Sequence, residues 1–435
     1  MKPTLHPMIN GYPEITLEGS SREYREVKGR HALTRVAPFF DWQNERRQYG
    51  LWPYAKVSDI PPRTECAIRY NNGETIAGIN FCSQDYLSLA SHPAIKEATK
   101  AAAEEYGVHS AGSAVLLGYT KFSDVLKQKL REFLNASHIV LYPTGWGAAY
   151  GAITGLIHSC DHVVIDTLAH ASLHEGAAAA TRNIHLSGHR NNDAVRARRR
   201  LKIIRAQDAH NAIMVVTETL FSMDSDTPRI DELQEIYREY DAVLLVDVAH
   251  DLGVQKMLGK VDLVMGSFSK TFASNGGFIA TSSRAVKEYL KFYSGTHTFS
   301  NALSPVQAAI VAQAIDLIRA PEGAERRQKL MDAVGVLRAE LAAGGLECLG
   351  DPSAIVPVMI GNEGLSRVTA HLLPRYNVLA NLVEYPAVAK GSARLRLQVQ
   401  ADHTEDQVRT AAAGIRTAVE EARGVLGVTA GGSCS

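Results

Sequence analysis

A lysine in a permissive turn is the first candidate for chemistry. Lys270 lies in DLVMGSFSKTFASNGG (262–277), after a short apolar run and among the small residues Gly266, Ser267, Ser269 and Ser274. One strand earlier, AVLLVDVAH ends in Asp247 and His250. A carboxylate closing a buried apolar run is costly unless a cation meets it. A lysine amine, an acid at a strand end and a nearby histidine are together what a pyridoxal 5′-phosphate site requires. The amine forms the Schiff base, and the acid keeps the pyridine nitrogen protonated so that the ring can take up electrons. His250 is then placed to donate to the ring oxygen O3′. Singly, each residue has a plainer reading: Lys270 as a solvated loop lysine, Asp247 as a helix N-cap or metal ligand, His250 as a structural histidine.

The rest of such a site can be sought by chemistry. A phosphate needs backbone N–H groups at a helix start, plus hydroxyls. Thr144-Gly145-Trp146 follows the run HIVLY and opens a small-residue helix, and Ser267 adds a hydroxyl. The alternative for Thr144-Gly145 is an ordinary strand-to-helix turn. His170, just past a strand end in DTLAHASLHEG, can stack on the pyridine face, and Ser222 in LFSMDSD can touch the ring edge. In RLRLQV, period-2 alternation puts Arg394, Arg396, Gln398 and Gln400 on one side. Two arginines on one face suit a carboxylate; a solvated sheet face is the alternative.

The elements that would position these residues alternate between strand and helix. Apolar runs at His138–Tyr142, His162–Asp166, Ile213–Thr217, Ala242–Asp247, Asp262–Gly266 and Gly277–Thr281 are continuous rather than alternating. That marks a mostly parallel sheet buried under helices. Helices are expected from Pro93 to Tyr106, on the stripe Phe122–Leu134, and along Val306–Ile318. APEGAERRQ (320–328) reads as a polar hinge. Beyond it come a helix over 327–343, strands over 355–360, 377–382 and 394–399, a helix over 404–425, and a frayed tail over 427–435. The expected domains are an N-terminal segment (1–75), a large cofactor domain (76–320) and a small α+β domain (321–435). In the first segment Val36, Phe39, Phe40 and Trp42 are expected to pack on a partner or on the main domain.

Composition narrows the function. The 435 residues are 46% hydrophobic and 21% charged with a formal net charge of zero. No basic excess points to nucleic acid. No apolar run is long enough to cross a membrane, and the N-terminus lacks the apolar core of a secretory signal. The cysteines at 66, 82, 160, 348 and 434 are scattered and show no CxxC spacing. They imply a reducing cytoplasm, without disulfide framework or zinc site.

Taken in order, these motifs resemble the α-oxoamine synthases, the pyridoxal-phosphate group of 8-amino-7-oxononanoate synthase, 2-amino-3-ketobutyrate CoA ligase, 5-aminolevulinate synthase and serine palmitoyltransferase. The likeness runs from about Ile79 to Val425. It is carried by INFCSQDYLSLASHP, LAHASLHEG, VTETLFSMDSDTPRIDEL, LLVDVAHDLG, GSFSKTFASNGGFIA, FSNALSP and KGSARLRLQVQADHT. The resemblance implies a fold-type I transferase, with a mostly parallel seven-stranded sheet in the large domain and a smaller α+β C-terminal domain. It implies a homodimer with shared active sites, Ser300 and Asn301 lying near the neighbouring subunit's cofactor phosphate. It implies Arg396 as the substrate-carboxylate arginine, and Lys270 and His170 as the catalytic pair. The implied reaction condenses an amino acid with an acyl thioester, on CoA or a carrier protein, with loss of CO₂ to give an α-amino ketone. An aminotransferase or lyase of the same fold, or a non-catalytic partner subunit, are the competing readings.

Several positions depart from the family pattern. Ala114 replaces an arginine, Ser123 a histidine, Val248 an acid and Asp251 a serine, while Gln84 stands where asparagine is common. The stretch between Gly253 and Asp262 is short. Glu384-Tyr385-Pro386 stands where serine palmitoyltransferases and oxononanoate synthases carry Arg-Pro-Pro, an arginine that the ketobutyrate ligases also lack; one reading is that Glu384 faces a cationic substrate side chain such as that of arginine or lysine, and the alternative is a solvated glutamate.

Overall fold

The computed structural model describes residues 7–69, 73–187, 194–254 and 261–428. The expected tail from residue 429 onward, Cys434, and residues 255–260 of the shortened stretch lie outside them. The chain forms two compact units, Gln84–Gln328 and Met1–Ser83 with Lys329–Ser435.

The large unit is built on seven strands. They are β1 (His138–Tyr142), β2 (His162–Asp166), β3 (Asn183–Ser187), β4 (Ile213–Glu218), β5 (Val243–Asp247), β6 (Leu263–Ser267) and β7 (Gly277–Thr281). Their order is β1-β7-β6-β5-β4-β2-β3. Only β7 runs antiparallel to its neighbours, β6 and β1; the β6-β5-β4-β2-β3 ladders are parallel. The expected fold class holds. Buried apolar residues of β1, β2 and β4–β7 make one core with helix α1 (Gly145–Leu156) and helix α2 (Ala171–Ala180). Parallel strands all end on the same edge, so the loops that follow them gather there. The seventh strand, β3, was not among the expected runs. It is an edge strand whose NIHLS sequence mixes polar and apolar residues, so it lacks the continuous apolar signal of the central strands.

The second unit corrects the domain outline. Thr75–Asn80 pairs with Glu65–Arg69 on one side and with Val378–Leu379 on the other. The N-terminal strands and a C-terminal strand thus share one sheet, in place of the expected separate segment. A second sheet holds Ile355–Gly361, Ala393–Gln398 and Asn381–Val383. The run expected as one strand over 377–382 is therefore divided between two sheets. The expected hinge at 320–328 is instead the start of a helix, Pro321–Ala343. Its polar residues satisfy one another along the helix, with Arg326 bridging Glu322 at 2.9 Å.

A buried ion network sits inside this unit. Glu384 is 6% exposed; its Oε1 accepts from Arg46 Nη1 at 3.1 Å and from the Tyr54 hydroxyl at 2.9 Å, and its Oε2 from Arg367 Nε at 2.6 Å. Arg367 also donates to the carbonyls of Thr16, Leu17 and Gly19, closing the short helix Glu14–Glu18. The Arg46 guanidinium lies 5.0 Å from the Trp42 ring centroid and 5.4 Å from that of Trp52. Burial would raise the Glu384 carboxyl; the Arg46 and Arg367 charges outweigh it and hold the group below the usual range. Trp42 is buried here and packs on Tyr24, while Val36 and Phe40 are exposed. The expectation that Glu384 meets a cationic substrate is corrected: two arginines of the same unit already occupy its oxygens. Glu384→Ala would leave two buried guanidiniums without their carboxylate. It is expected to cost about 3–5 kcal/mol of stability, read as a lower urea midpoint.

Candidate active site

Three acids line the carboxyl edge of the large sheet. Asp166, Glu218 and Asp247 are the last residues of β2, β4 and β5, which are neighbours in the sheet. Each closes an apolar strand, at the point where the chain leaves the core for a loop. Asp247 and Glu218 stand opposite each other in the β4–β5 ladder, so their side chains share a face. Both are buried. Burial raises the Asp247 carboxyl above its ordinary range, opposed by the Lys270 charge and the Ala249 N–H, which donates to Oδ1 at 2.8 Å. Glu218 is raised well above its range, first by burial and then by the Asp247 charge.

Lys270 follows β6 in a turn that its neighbours make rigid. Phe268 N–H donates to the Gly276 carbonyl at 2.9 Å, and Ser274 N–H to the Phe268 carbonyl at 3.2 Å. Phe268 and Phe272 are fully buried, and Phe268 stacks on Phe278 with centroids 5.6 Å apart. These rings anchor the turn and leave Lys270 half-buried between them. Its charge acts on Asp247, Glu218 and Asp251 alike. The structure therefore brings Lys270 and Asp247 together, as the sequence suggested.

His250 is buried, and its Nδ1 lies 2.9 Å from the Tyr86 hydroxyl, which sets the ring's orientation. His170 caps α2: its backbone N–H donates to Glu218 Oε1, and its Nδ1 lies 2.7 Å from the Ser172 hydroxyl. Its exposed ring meets Trp146 edge-on at 5.8 Å. Ser222 is buried in the loop after β4.

The phosphate candidates also converge. Thr144 caps α1 through its hydroxyl, which accepts from Gly147 N–H at 2.9 Å. A Cβ at Gly145 would overlap the Ser267 side chain, and one at Gly277 would come within 2.7 Å of Gly145 Cα. Only glycine permits this approach of the α1 N-terminus to the end of β6. The Ser267 hydroxyl accepts from Ser269 N–H at 3.3 Å. Hydroxyls, a helix start and a close-packed glycine form a cradle that fits a phosphate, and the paired acids fit a ring cation. The residues present fit pyridoxal phosphate.

Ser300 is half-buried and Asn301 is exposed. Asn301 bridges Ser113, and its Nδ2 lies 3.3 Å from His109 Nε2. Gln84 is half-buried in the loop before Asp85, whose carboxylate accepts from Leu89 and Ala90 N–H. Arg396 and Glu384 belong to the other unit. Arg396 is half-buried on the strand Ala393–Gln398; Gln398 on the same face is buried and donates to the Cys82 carbonyl at 3.0 Å. That face is thus largely interior rather than a solvated sheet surface. Among the described residues no group of three or more His, Cys, Asp or Glu could hold a metal ion.

The sequence model of the family "Aminotransferase class I and II" matches residues 76–415. The 8-amino-7-oxononanoate synthase of Trichlorobacter lovleyi (strain ATCC BAA-1151 / DSM 17278 / SZ) is 33% identical over 358 residues, covering 80% of this chain and 90% of that one. The chain belongs to the α-oxoamine synthases. The 2-amino-3-ketobutyrate coenzyme A ligase of Salmonella typhimurium is 30% identical over 77% of this chain and 85% of that one. A solved serine palmitoyltransferase from S. paucimobilis gives a TM-score of 0.83 at 25% identity, covering 92% of this chain and all of that one. This synthase is therefore a pyridoxal-phosphate-dependent acyltransferase that joins an amino acid to an acyl thioester with decarboxylation.

Two positions of the candidate site escaped the sequence reading. Glu218 closes its strand as Asp247 does, and that shared position was the available signal. Tyr86 carried none. Asp251 was noticed only as a departure from the family pattern. Its Oδ1 is buried with no hydrogen-bond partner among the described residues, and its carboxyl bonds Thr219. Burial pushes its pKa up to about 7. Because the folded value lies above the unfolded one, ionisation opposes folding. The cost is absent at low pH, grows as pH rises past the unfolded value, and is complete above about 7. Asp251→Asn in the cofactor-free protein should therefore gain about 1–3 kcal/mol more over wild type at pH 8 than at pH 5. Urea titrations at the two pH values check this.

Proposed function

We propose that this synthase makes an α-amino ketone from an amino acid and an acyl thioester carried on CoA or a carrier protein, with Lys270 as the cofactor-linking lysine. The observation that carries the reading is the convergence of Lys270 with two buried, strand-end carboxyls. The cofactor ring, when bound, takes up the electron pair left at the substrate Cα. Asp247 holds the ring nitrogen, and His250, steadied by Tyr86, serves the ring oxygen. Lys270 Nζ removes the Cα proton, from a turn whose buried phenylalanines limit its wandering. His170 covers the ring face from the N-terminus of α2. Thr144, Gly145, Trp146 and Ser267 receive the phosphate, with Ser222 at the ring edge. Arg396 is retained as the substrate-carboxylate arginine and Gln84 as a substrate contact, both on the family likeness.

Two copies are proposed to share their sites, Ser300 and Asn301 reaching the neighbour's phosphate. Exposed apolar side chains beside those residues support this: Phe299, Leu116 and Leu117 are each more than 80% exposed. Such a patch is what an interface would cover. The proposed location is the cytoplasm. Among the described residues four cysteines are free and no helix is long and apolar enough to cross a membrane.

The test is a panel of amino acids and acyl thioesters, read by product mass, CO₂ release and cofactor absorbance. Wild type should be yellow and should release CO₂ only when a thioester is supplied. Lys270→Ala should lose the visible band and all turnover. Amino-acid-dependent CO₂ release without thioester would favour a lyase instead. A protein that stays colourless with added cofactor would overturn the enzyme reading.

A further inference from the structure

Glu218 has no part in the reaction just described, yet it occupies the most constrained position in the site. It is the last residue of β4, 3% exposed, and stands directly opposite Asp247 on the same face of the sheet. Two carboxyls on adjacent strand positions cannot both ionise cheaply out of water. The groups acting on Glu218 are Asp247, Lys270, Asp166 and the His170 N–H. Of these only Lys270 brings a full positive charge, and Asp247 and Asp251 share it. Lys270 therefore serves more carboxyls than one charge can neutralise, the His170 ring adding positive charge at Asp247. Glu218 is the one of them that also takes a backbone N–H from another element: its Oε1 receives the N–H of His170, the residue that opens α2.

We propose that Glu218 is a positioning residue that keeps its proton beside Asp247. By doing so it fixes His170 at the start of α2 and leaves Asp247 as the single carboxylate for the cofactor nitrogen. The neutral carboxyl has an acceptor oxygen for the His170 N–H and adds no second negative charge. An ionised Glu218 would compete with Asp247 for the same ring cation. The raised carboxyl of Glu218 agrees with this arrangement. The inference rests on the reading of Asp247 and His170 as cofactor contacts.

Glu218→Gln keeps the acceptor oxygen and stays neutral, whereas Glu218→Ala removes the clamp. Three measurements decide the matter. In cofactor-free protein, the wild-type urea midpoint should fall between pH 5.5 and 8.5 by more than that of Glu218→Gln, because only wild type has this proton to lose. Equal pH slopes would overturn the proposal. In holoenzyme, the pH titration of the visible band should coincide in wild type and Glu218→Gln. A shift of about one pH unit or more would show that wild-type Glu218 is charged. Glu218→Ala and His170→Ala should each weaken cofactor binding about tenfold, and the double variant should be no weaker than either. Additive losses would show that Glu218 does not act through His170. A wild-type protein without a visible band would sink the cofactor reading. A normal band with a shifted Gln titration would sink only the role of Glu218, and the cofactor-free titration judges Glu218 in either case.

Discussion

Burying two carboxyls side by side at the ends of β4 and β5 is the constraint around which the large unit is arranged. Both acids are buried; burial raises each, and the Asp247 charge raises Glu218 further. The fold answers with one lysine charge, the Ala249 and His170 N–H groups, and protonation. Each answer depends on topology. β6 lies next to β5 and runs parallel to it, so the turn after β6 delivers Lys270 to the edge where Asp247 ends. β7 then runs back antiparallel between β6 and β1, and its first residue, Gly277, pairs with Tyr142 at the end of β1 and comes within contact of Gly145. The single reversed strand thus ties the phosphate cradle to the lysine turn. A side chain at any of these glycines would push the two apart.

The other unit meets a buried carboxylate in the opposite way. Glu384 is held by two guanidiniums and a phenol, so positive charge is in excess there, whereas around Lys270 negative charge is in excess. The first arrangement keeps its acid ionised and pins the N-terminal helices to the small unit. The second keeps its acids ready to give up or hold protons. Ion networks of the first kind, in which the acid is charge-compensated, serve structure, and under-compensated ones are where pKa values become useful for chemistry.

How far each feature was legible in the sequence follows from the range of the interactions that make it. The central strands and the helix at Pro305–Arg319 were legible because burial writes itself into consecutive residues. Edge strand β3 was not, since half its surface faces outward. The pairing of Thr75–Asn80 with Val378–Leu379 was not, because nothing local records a partner some three hundred positions away. The same limit explains Glu384. Its difference from the family pattern was visible, but its compensators, Arg46 and Arg367, lie 338 and 17 positions away and look like ordinary surface arginines in sequence. Lys270 and Asp247 were legible because a charged residue that closes an apolar run demands an explanation. Glu218 makes the same demand one strand over, but Thr217 had already ended the run IMVVT.

A site lined by Asp166, Glu218, Asp247 and Asp251 would carry four negative charges against Lys270 and the His170 ring if all were ionised. In a buried setting that imbalance exceeds what burial of the surrounding apolar strands can tolerate. The raised carboxyls of Glu218 and Asp251 mark where the structure gives way: burial makes both easier to protonate at the wall of the site. With Lys270 counted against Asp166 and Asp247, the net charge then falls toward that of a single carboxylate. That is the charge one ring cation needs, and Asp247, with the Ala249 N–H on its Oδ1, is the acid best held to carry it.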